Sequence, residues 1–377
     1  MVEIIPASTL LIADYLREVA PTDKMPPEIK PVLFGLYGEV GGIMAASKKY
    51  HREGDVFTGY RRAVEEEFGD TFWYLSALCR RLKIPLEDTI DQVLSGDEYG
   101  SILAASDIDT GSISRIIYPR QVIALDDSLV GLGHAASKLL LLETDVVKLT
   151  EAIKEFIDYF LKALQVSRIP FGDIARHNLA KTRGRFLEPD PKILPTFDDK
   201  FDAEERLPDY FEITISQRRG GQCFLRWNDV FVGDPLTDNI LDADDYRFHD
   251  VFHFAHAAIL HWSPTMRALI KQKRKSDKIF DESQDGGRAI VVEEGLTAWI
   301  FSRAKDLKFF EGQKSVSFDM LKTIADFVRG YEVEECPLNL WERAILDGYA
   351  VFREIKANKG GIVIGDRKAR TISYKPL

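Results

Sequence analysis

The sequence predicts a mainly α-helical fold in two domains, a helical bundle followed by a smaller α+β domain. Apolar residues recur at helical spacing over 32–49 and 59–83, and a similar pattern returns over 128–186. The character then changes, because apolar and polar residues alternate over 211–215 ahead of a Gly-Gly pair, as is typical of a β-hairpin. We therefore expect tandem helical pairs in the first half and a hairpin with helices in the second.

Composition and charge narrow the class of protein. The 377-residue chain is 45% hydrophobic and 29% charged, which is typical of globular proteins. Its net charge of −10 makes bulk nucleic-acid binding unlikely. The three cysteines (Cys79, Cys223 and Cys336) are far apart, which argues against disulfides and thiolate zinc sites. Because the N-terminus does not resemble a signal peptide and no apolar run reaches about 18 residues, we expect a cytoplasmic protein with no membrane partner.

The predicted elements follow from these periodicities. In the first half, helices are expected over 7–20, 32–49 and 59–83, with another beginning near Leu86. In the second half we expect a hairpin over 210–234, helices over 246–260, 285–305, 317–330 and 341–357, and a short strand pair within 362–375.

The domain boundary is expected where proline and aspartate accumulate. Residues 187–199, LEPDPKILPTFDD, are typical of a linker, so we expect one domain over 1–188 and another over 200–377. Within the first domain the two copies lie near 30–92 and 128–186. A polar segment over 93–127 is interpreted as an insertion between them.

Carboxylates lie inside the two strongest predicted helices. Glu39 is surrounded by apolar residues in the first, and Glu66, Glu67 and Asp70 belong to the second. Glu67 and Asp70 are three residues apart and therefore project from one helical face. Buried carboxylates are costly unless a cation neutralises them, and Mg²⁺ prefers oxygen ligands and phosphate-bearing substrates. The pattern predicts a metal site suited to hydrolysis of a phosphoanhydride, with these four acids as the catalytic set.

The second copy keeps the apolar pattern of the first copy but lacks some of its acidic residues. Aligning Ile169-Pro170 with Ile84-Pro85 without gaps puts Glu155 under Asp70 and Ala152 under Glu67. A three-residue shift instead puts Glu155 and Asp158 under Glu67 and Asp70, and the sequence leaves both alignments open. In the first helix of the pair, His134 stands where Glu39 stood. The tail of this copy adds polar groups at Asn178, Lys181, Arg183 and Arg185.

Two stretches, GLYGEVGG and EEEFGDTFWYLSALCRRLKIPLED, resemble the MazG-like all-α nucleoside triphosphate pyrophosphohydrolases. The resemblance is close over 33–89 and weaker over 128–186, where HNLAKTRGRF is similar to the family's Asn/Lys tail. It implies magnesium-dependent cleavage of a (d)NTP or related nucleotide to the monophosphate and pyrophosphate, with Mn²⁺ as an alternative ion. It also allows a homo-oligomer, since family members commonly dimerise.

The resemblance also implies roles for individual residues. Glu39, Glu67 and Asp70 would be metal ligands. The substrate's phosphate or sugar would contact basic and amide groups: Lys49, Asn178, Lys181 and Arg185.

One departure from the family pattern bears on activity. The family has ExxE on the first helix, but the second position is Gly42 here. Glu66, or Glu155 or Asp158 from the second copy, could substitute for the lost ligand. The alternative is a nucleotide sensor, in which the first domain binds without cleaving and the C-terminal domain is the effector.

The second half contains a histidine cluster. His249, His253 and His256 are spaced i, i+4 and i+7 and so share a helical face, with Asp250 adjacent. Glu293 and Glu294 follow inside another apolar helix. Histidine and carboxylate ligands suit zinc, manganese or iron, so these six residues form a second candidate metal site. A further alternative function is therefore a His/Glu metal-dependent hydrolase in this domain.

A basic run over 270–278, IKQKRKSDK, follows the histidine cluster. Two interpretations are open: a solvated loop, or a clamp for phosphate or a nucleic-acid strand.

Overall fold

The computed structural model describes residues 10–95, 123–141 and 145–377, which belong to two compact units, Met1–Leu187 and Glu188–Leu377. The fold class is confirmed: the first unit is helical and the second combines helices with a small antiparallel sheet. Most of the predicted insertion and the first residues of the helix expected over 7–20 lie outside the described residues. No helix among the described residues is both long enough and apolar enough to span a bilayer.

The first unit contains seven α-helices within its described residues. They are α1 (Ile12–Val19), α2 (Ile29–Glu53), α3 (Tyr60–Leu82), α4 (Leu86–Leu94), α5 (Leu125–Leu141), α6 (Val146–Ser167) and α7 (Phe171–Phe186). Helix α2 packs on α3 and α5 packs on α6, while α2 also contacts α5. The terminal helices cross over between the pairs, since α4 packs on α6 and α7 on α3. This crossover brings the tail of the second copy to the acidic helix of the first.

The packing of two tyrosines decides between the alignments of the copies. The Tyr74 ring lies over Gly35, and the Tyr159 ring lies over Gly131 in the same way, where a Cβ would come within 2.1 Å of either ring. Tyr74 and Tyr159 have the same separation in the chain as Pro85 and Pro170, which supports the ungapped alignment of the second helices. Glu155 thus corresponds to Asp70 and Ala152 to Glu67.

The same packing corrects the alignment of the first helices by one residue. Matching Gly131 to Gly35 places Ala135, rather than His134, at the position of Glu39. Ala135 is fully buried and His134 is exposed, as this match requires. Lys138 then takes the position of Gly42.

The second unit is built around a five-stranded antiparallel sheet in the order β3-β2-β1-β4-β5. The strands are β1 (Tyr210–Gln217), β2 (Cys223–Trp227), β3 (Val230–Leu236), β4 (Gly360–Asp366) and β5 (Thr371–Lys375). The predicted hairpin is therefore three strands, since a second turn follows Trp227. Asn228 and Asp229 both have positive φ, 47° and 63°, as a two-residue type I′ turn requires.

The helices of this unit carry the residues expected to bind metal. They are α8 (Asp250–Ala255), α9 (Pro264–Leu269), α10 (Lys278–Ser283), α11 (Gly287–Ala304), α12 (Phe318–Phe327) and α13 (Leu338–Asn358). A π-helical turn, His256–Leu260, follows α8 directly. Helix α13 packs on the sheet and on α8, and α11 contacts α8 and α9. The histidine-bearing helix is thereby enclosed.

Buried arginine–carboxylate pairs fix the segment before β1 to this core. Asp198, which has no exposed surface, accepts hydrogen bonds from Arg267 at 2.6 Å, Arg367 at 2.7 Å and the Leu207 amide at 2.8 Å. Burial would raise the pKa of Asp198, but these donors outweigh it and hold the pKa below its ordinary value. The carboxylate is therefore ionised and fully paired.

The basic run over 270–278 is not uniformly solvated. Arg274 is fully buried and donates to Asp285 at 2.7 Å and to Glu332 at 2.6 Å. Its guanidinium is therefore occupied within the second unit, which disfavours a phosphate clamp built on this residue.

Replacing Asp198 by asparagine should lower the free energy of unfolding by about 3–5 kcal/mol, because it removes the carboxylate to which two buried guanidinium groups donate. Denaturant unfolding near pH 7 measures this loss, and Asp199→Asn, at an exposed neighbour, is the matched control. Since the folded pKa of Asp198 is depressed, its contribution is present above the unfolded pKa of about 3.9 and is lost as pH falls through the lower folded pKa. Equal stability of the two variants at pH 7 would contradict the assignment.

Candidate functional site

The acidic cluster of the first unit forms between α2, α3 and α7. Glu39 lies on α2, at the interior of a helix whose flanking residues Leu36, Val40 and Ile43 are buried. Glu66, Glu67 and Asp70 lie on α3, where Glu66 and Asp70 face Asn178 and Lys181 of α7 and Glu67 packs against α2. Because apolar residues recur at helical spacing, one face of each helix is buried, and the carboxylates lie at the edge of the core.

Glu39 and Glu67 face each other across the two helices. The Glu39 carboxyl hydrogen-bonds to that of Glu67, and burial together with the nearby Glu67 and Asp70 charges raises the pKa of Glu39 to about 8. Two facing carboxylates share a proton when no cation lies between them. Oxygen donors in this arrangement are the ligands that Mg²⁺ prefers. The pair therefore fits a divalent cation in place of the shared proton.

Gly42 provides the space that Glu67 occupies. A Cβ at position 42 would lie 2.2 Å from Glu67 Oε2, so the carboxylate packs directly against the α2 backbone. Gly41, one residue earlier, has no such neighbour. The position where the family pattern has a second glutamate thus accommodates a glutamate from the neighbouring helix.

Asp70 is held by two side chains of α7. Lys181 Nζ donates to Asp70 Oδ2 at 2.5 Å and to Glu66 Oε1 at 2.8 Å, and Asn178 Nδ2 donates to Asp70 Oδ1 at 2.9 Å. Asn178 Oδ1 in turn accepts a hydrogen bond of 2.8 Å from Tyr15. Burial raises the pKa of Asp70, while Lys181 and Asn178 oppose the rise. The site is therefore composite, as the two-copy pattern predicts.

The four residues predicted to contact the substrate lie at different positions relative to the acidic cluster. Asn178 is buried behind Asp70, so its amide orients the carboxylate. Lys181 lies at the cluster itself. Lys49 is ten residues beyond Glu39, about 15 Å along the helix axis, and its amino group lies 4.1 Å from the centre of the Phe57 ring. Arg185 follows Lys181 by one turn of α7, with its guanidinium 5.6 Å from the centre of the Phe186 ring.

The equivalent position in the second copy contains an internal ion pair. Lys138, at the position of Gly42, lies 2.5 Å from Glu155, at the position of Asp70. Asp158 pairs with Lys162 at 2.6 Å on its own helix. Neither acid joins the cluster around Glu39, so the structure disfavours both as substitutes for the ligand missing at Gly42. In this copy the Lys138 ammonium therefore provides the positive charge that pairs with the Glu155 carboxylate.

The histidine cluster lies at the contact of α8, the π-turn and α11. The ring centres of His249 and His253 are 5.6 Å apart, and those of His253 and His256 are 6.2 Å apart, so the predicted shared face is present. Over the described residues, two groups have ligand atoms within 4.8 Å of one another: His249, Asp250 and His253, and His253, His256 and Glu293. Both groups lie in the second unit.

Several residues that support these clusters carried no signal in the sequence. Tyr15 orients Asn178 from 163 positions away, and Ser263 and Thr265 both donate to Glu293. Each is an ordinary hydroxyl residue in a helix or loop. Only the tertiary fold brings each of them to its cluster.

The comparisons with known proteins bear on the second unit. Residues 192–377 match the family model described as the MazG C-terminal domain. No curated protein and no solved structure matches the chain. The match covers the half in which sequence analysis found no resemblance, and it does not extend to the first unit. The match over residues 192–377 is consistent with the MazG-like resemblance of the helical unit that precedes them.

Proposed function

We propose that the first unit is a magnesium-dependent nucleoside triphosphate pyrophosphohydrolase. The observation that carries the proposal is the composite acidic cluster, in which Glu39 and Glu67 face each other and Asp70 is oriented by Asn178 and Lys181. The MazG C-terminal domain in the same chain supports it, since the resemblance of the first unit is to MazG-like enzymes. The substrate is a (d)NTP or related nucleotide.

The residues of the cluster divide the chemistry between them. Glu39, Glu67 and one remaining lone pair on Asp70 would hold Mg²⁺, which when bound neutralises phosphate charge and lowers the pKa of the attacking water. Lys181 keeps Asp70 and Glu66 in place, and its ammonium brings positive charge to the cluster where a substrate phosphate would bind. Glu66 is the carboxylate best placed to accept the proton, because it lies beside the metal set without belonging to it.

Incubation of the full-length protein with a panel of (d)NTPs and Mg²⁺ tests the proposal. The α–β phosphoanhydride bond should break on attack by water, releasing the nucleoside monophosphate and pyrophosphate in equal amounts. Pyrophosphate and monophosphate are measured separately. Absence of pyrophosphate from every nucleotide, including those with modified bases, would rule out the hydrolase.

The rival function, a nucleotide sensor without turnover, is favoured by Gly42, which leaves α2 one carboxylate short. Isothermal titration calorimetry distinguishes the two. A sensor binds a nucleotide with unchanged affinity in Glu67→Gln and never releases pyrophosphate. The hydrolase loses Mg²⁺-dependent binding in that variant.

Asp70→Asn should reduce the rate of pyrophosphate release by roughly 10²–10³-fold, the scale of losing one preorganised charged group in an active site. The matched control is Glu155→Gln, which removes the equivalent acid of the second copy. Because Glu155 is paired with Lys138 away from the cluster, this control should retain the rate. A comparable loss in both variants would mean that the second copy contributes to catalysis.

Gly42→Ala should raise the Mg²⁺ concentration needed for half-maximal activity by roughly tenfold or more, because the added methyl group displaces the Glu67 carboxylate. Gly41→Ala is the control, since a Cβ there meets nothing within 4 Å. Both changes raise the intrinsic helix propensity by about 0.5–1 kcal/mol, so helix propensity does not separate them. An unchanged Mg²⁺ dependence in Gly42→Ala would remove Glu67 from the metal site.

A further inference from the structure

We infer that the second unit holds one divalent first-row transition metal ion, bound by His249, His253, Glu294 and Asp250. This outer set contains His253, whose ring nitrogens make no hydrogen bond with the protein. The inference does not depend on nucleotide hydrolysis by the first unit.

Glu294 lies between the two histidines. Its Oε1 is 3.3 Å from His253 Nε2, and its Oε2 is 3.5 Å from His249 Nε2. Two ligand atoms that each lie about 2.1 Å from one ion are roughly 3.0–3.5 Å from each other at tetrahedral or octahedral angles. The spacing is therefore short enough for the three side chains to share one metal ion.

His253 is the central ligand. It is fully buried, and although both ring nitrogens lie near carboxylate oxygens, neither makes a hydrogen bond of acceptable geometry. A buried polar group normally has a partner, so the open Nε2 indicates a ligand that is bound in the functional state. Nε2 points toward Glu294, the one acid of the cluster that is substantially exposed, at 38% of its side chain. An ion could enter from that side.

The other nitrogen of each histidine faces an oxygen of the protein. His249 Nδ1 lies 2.9 Å from the Tyr246 carbonyl, which can only accept, so that nitrogen carries the proton and Nε2 has the free lone pair. The Tyr246 ring also stacks on His249 with centres 4.3 Å apart. His253 Nδ1 faces Glu293 Oε1 at 3.1 Å. Metal-binding histidines are held in this way by a carbonyl or carboxylate behind them.

Glu293 and His256 do not belong to the ligand set. Glu293 Oε1 already receives His256 Nδ1 at 3.0 Å, and its Oε2 receives Ser263 Oγ at 3.1 Å and the Thr265 amide at 2.9 Å. These donors satisfy a carboxylate that has no exposed surface. Glu293 therefore has its hydrogen-bond donors without an ion, and its Oε1 lies behind His253 at 3.1 Å.

Asp250 completes the outer set from the first turn of α8. It is buried, and its ligand atom lies within 4.8 Å of those of His249 and His253. Two imidazoles with two carboxylates suit manganese, iron, cobalt or zinc better than magnesium, because imidazole nitrogen binds these ions strongly.

Equilibration of the full-length protein with Zn²⁺, Mn²⁺ or Co²⁺, followed by dialysis and elemental analysis, tests the inference. We expect one equivalent per chain, and for Co²⁺ a visible absorption band from nitrogen and oxygen ligands. The same equivalent should persist in Glu67→Gln, which excludes the first unit as its source. Failure of the protein to retain any of the three ions would overturn the inference.

Variants identify the ligands. His253→Gln and Glu294→Gln should weaken Co²⁺ binding by roughly 10–100-fold or more, while His256→Gln should retain the equivalent. Glu294 is partly exposed, so its variant should fold even if His253→Gln does not, and circular dichroism checks this. Loss of the ion in His256→Gln to the same extent as in His253→Gln, or unchanged binding in Glu294→Gln, would overturn this ligand set.

Discussion

Neutralising carboxylates at the edge of, or within, an apolar core is the constraint on which both units depend. An ionised acid removed from water destabilises the fold unless positive charge or hydrogen-bond donors surround it. In the first unit Lys181 and Asn178 provide these for Asp70, and in the second unit Arg267 and Arg367 provide them for Asp198. Where the chain supplies few donors, as around Glu39 and Glu67, we propose that an ion supplies the positive charge.

At equivalent positions, the two helical pairs surround their carboxylates in different ways. The first pair has a glycine at position 42, and an acid from the neighbouring helix fills the space. The second pair has Lys138 there, and its ammonium meets Glu155. The crossover of α7 onto α3 then gives the first pair the basic and amide groups of the second copy. The two helical pairs thus contain one polar cluster and one internal lysine–glutamate ion pair.

Much of the fold could be predicted from the sequence, because apolar periodicity records which helix faces are buried. Helices α2 and α3 extend close to the predicted ranges, and the C-terminal strand pair lies where alternation suggested. The turn at Asn228 and Asp229 was missed because a two-residue turn leaves little compositional trace. The alignment of the copies also required tertiary contacts, since only the packing of Tyr74 and Tyr159 on glycines decides it.

The candidate sites were predicted less completely than the helices that carry them. Spacing alone grouped His249, His253 and His256, because residues four and three apart share a face. It could not separate His256, whose Nδ1 is bonded to Glu293, from His253, whose nitrogens lack such bonds. It likewise could not reveal that Asn178 lies behind Asp70. Such distinctions depend on distances of a few tenths of an ångström, which no pattern of residue types encodes.

The Lys138–Glu155 pair has a consequence for how the bundle responds to its surroundings. A tethered ammonium cannot diffuse away, so the second helical pair keeps its charge balance whatever the supply of divalent ions. If the first pair binds divalent ions as proposed, chelation of those ions would act on the carboxylates around Glu39 and Glu67 and leave the Lys138–Glu155 pair unchanged.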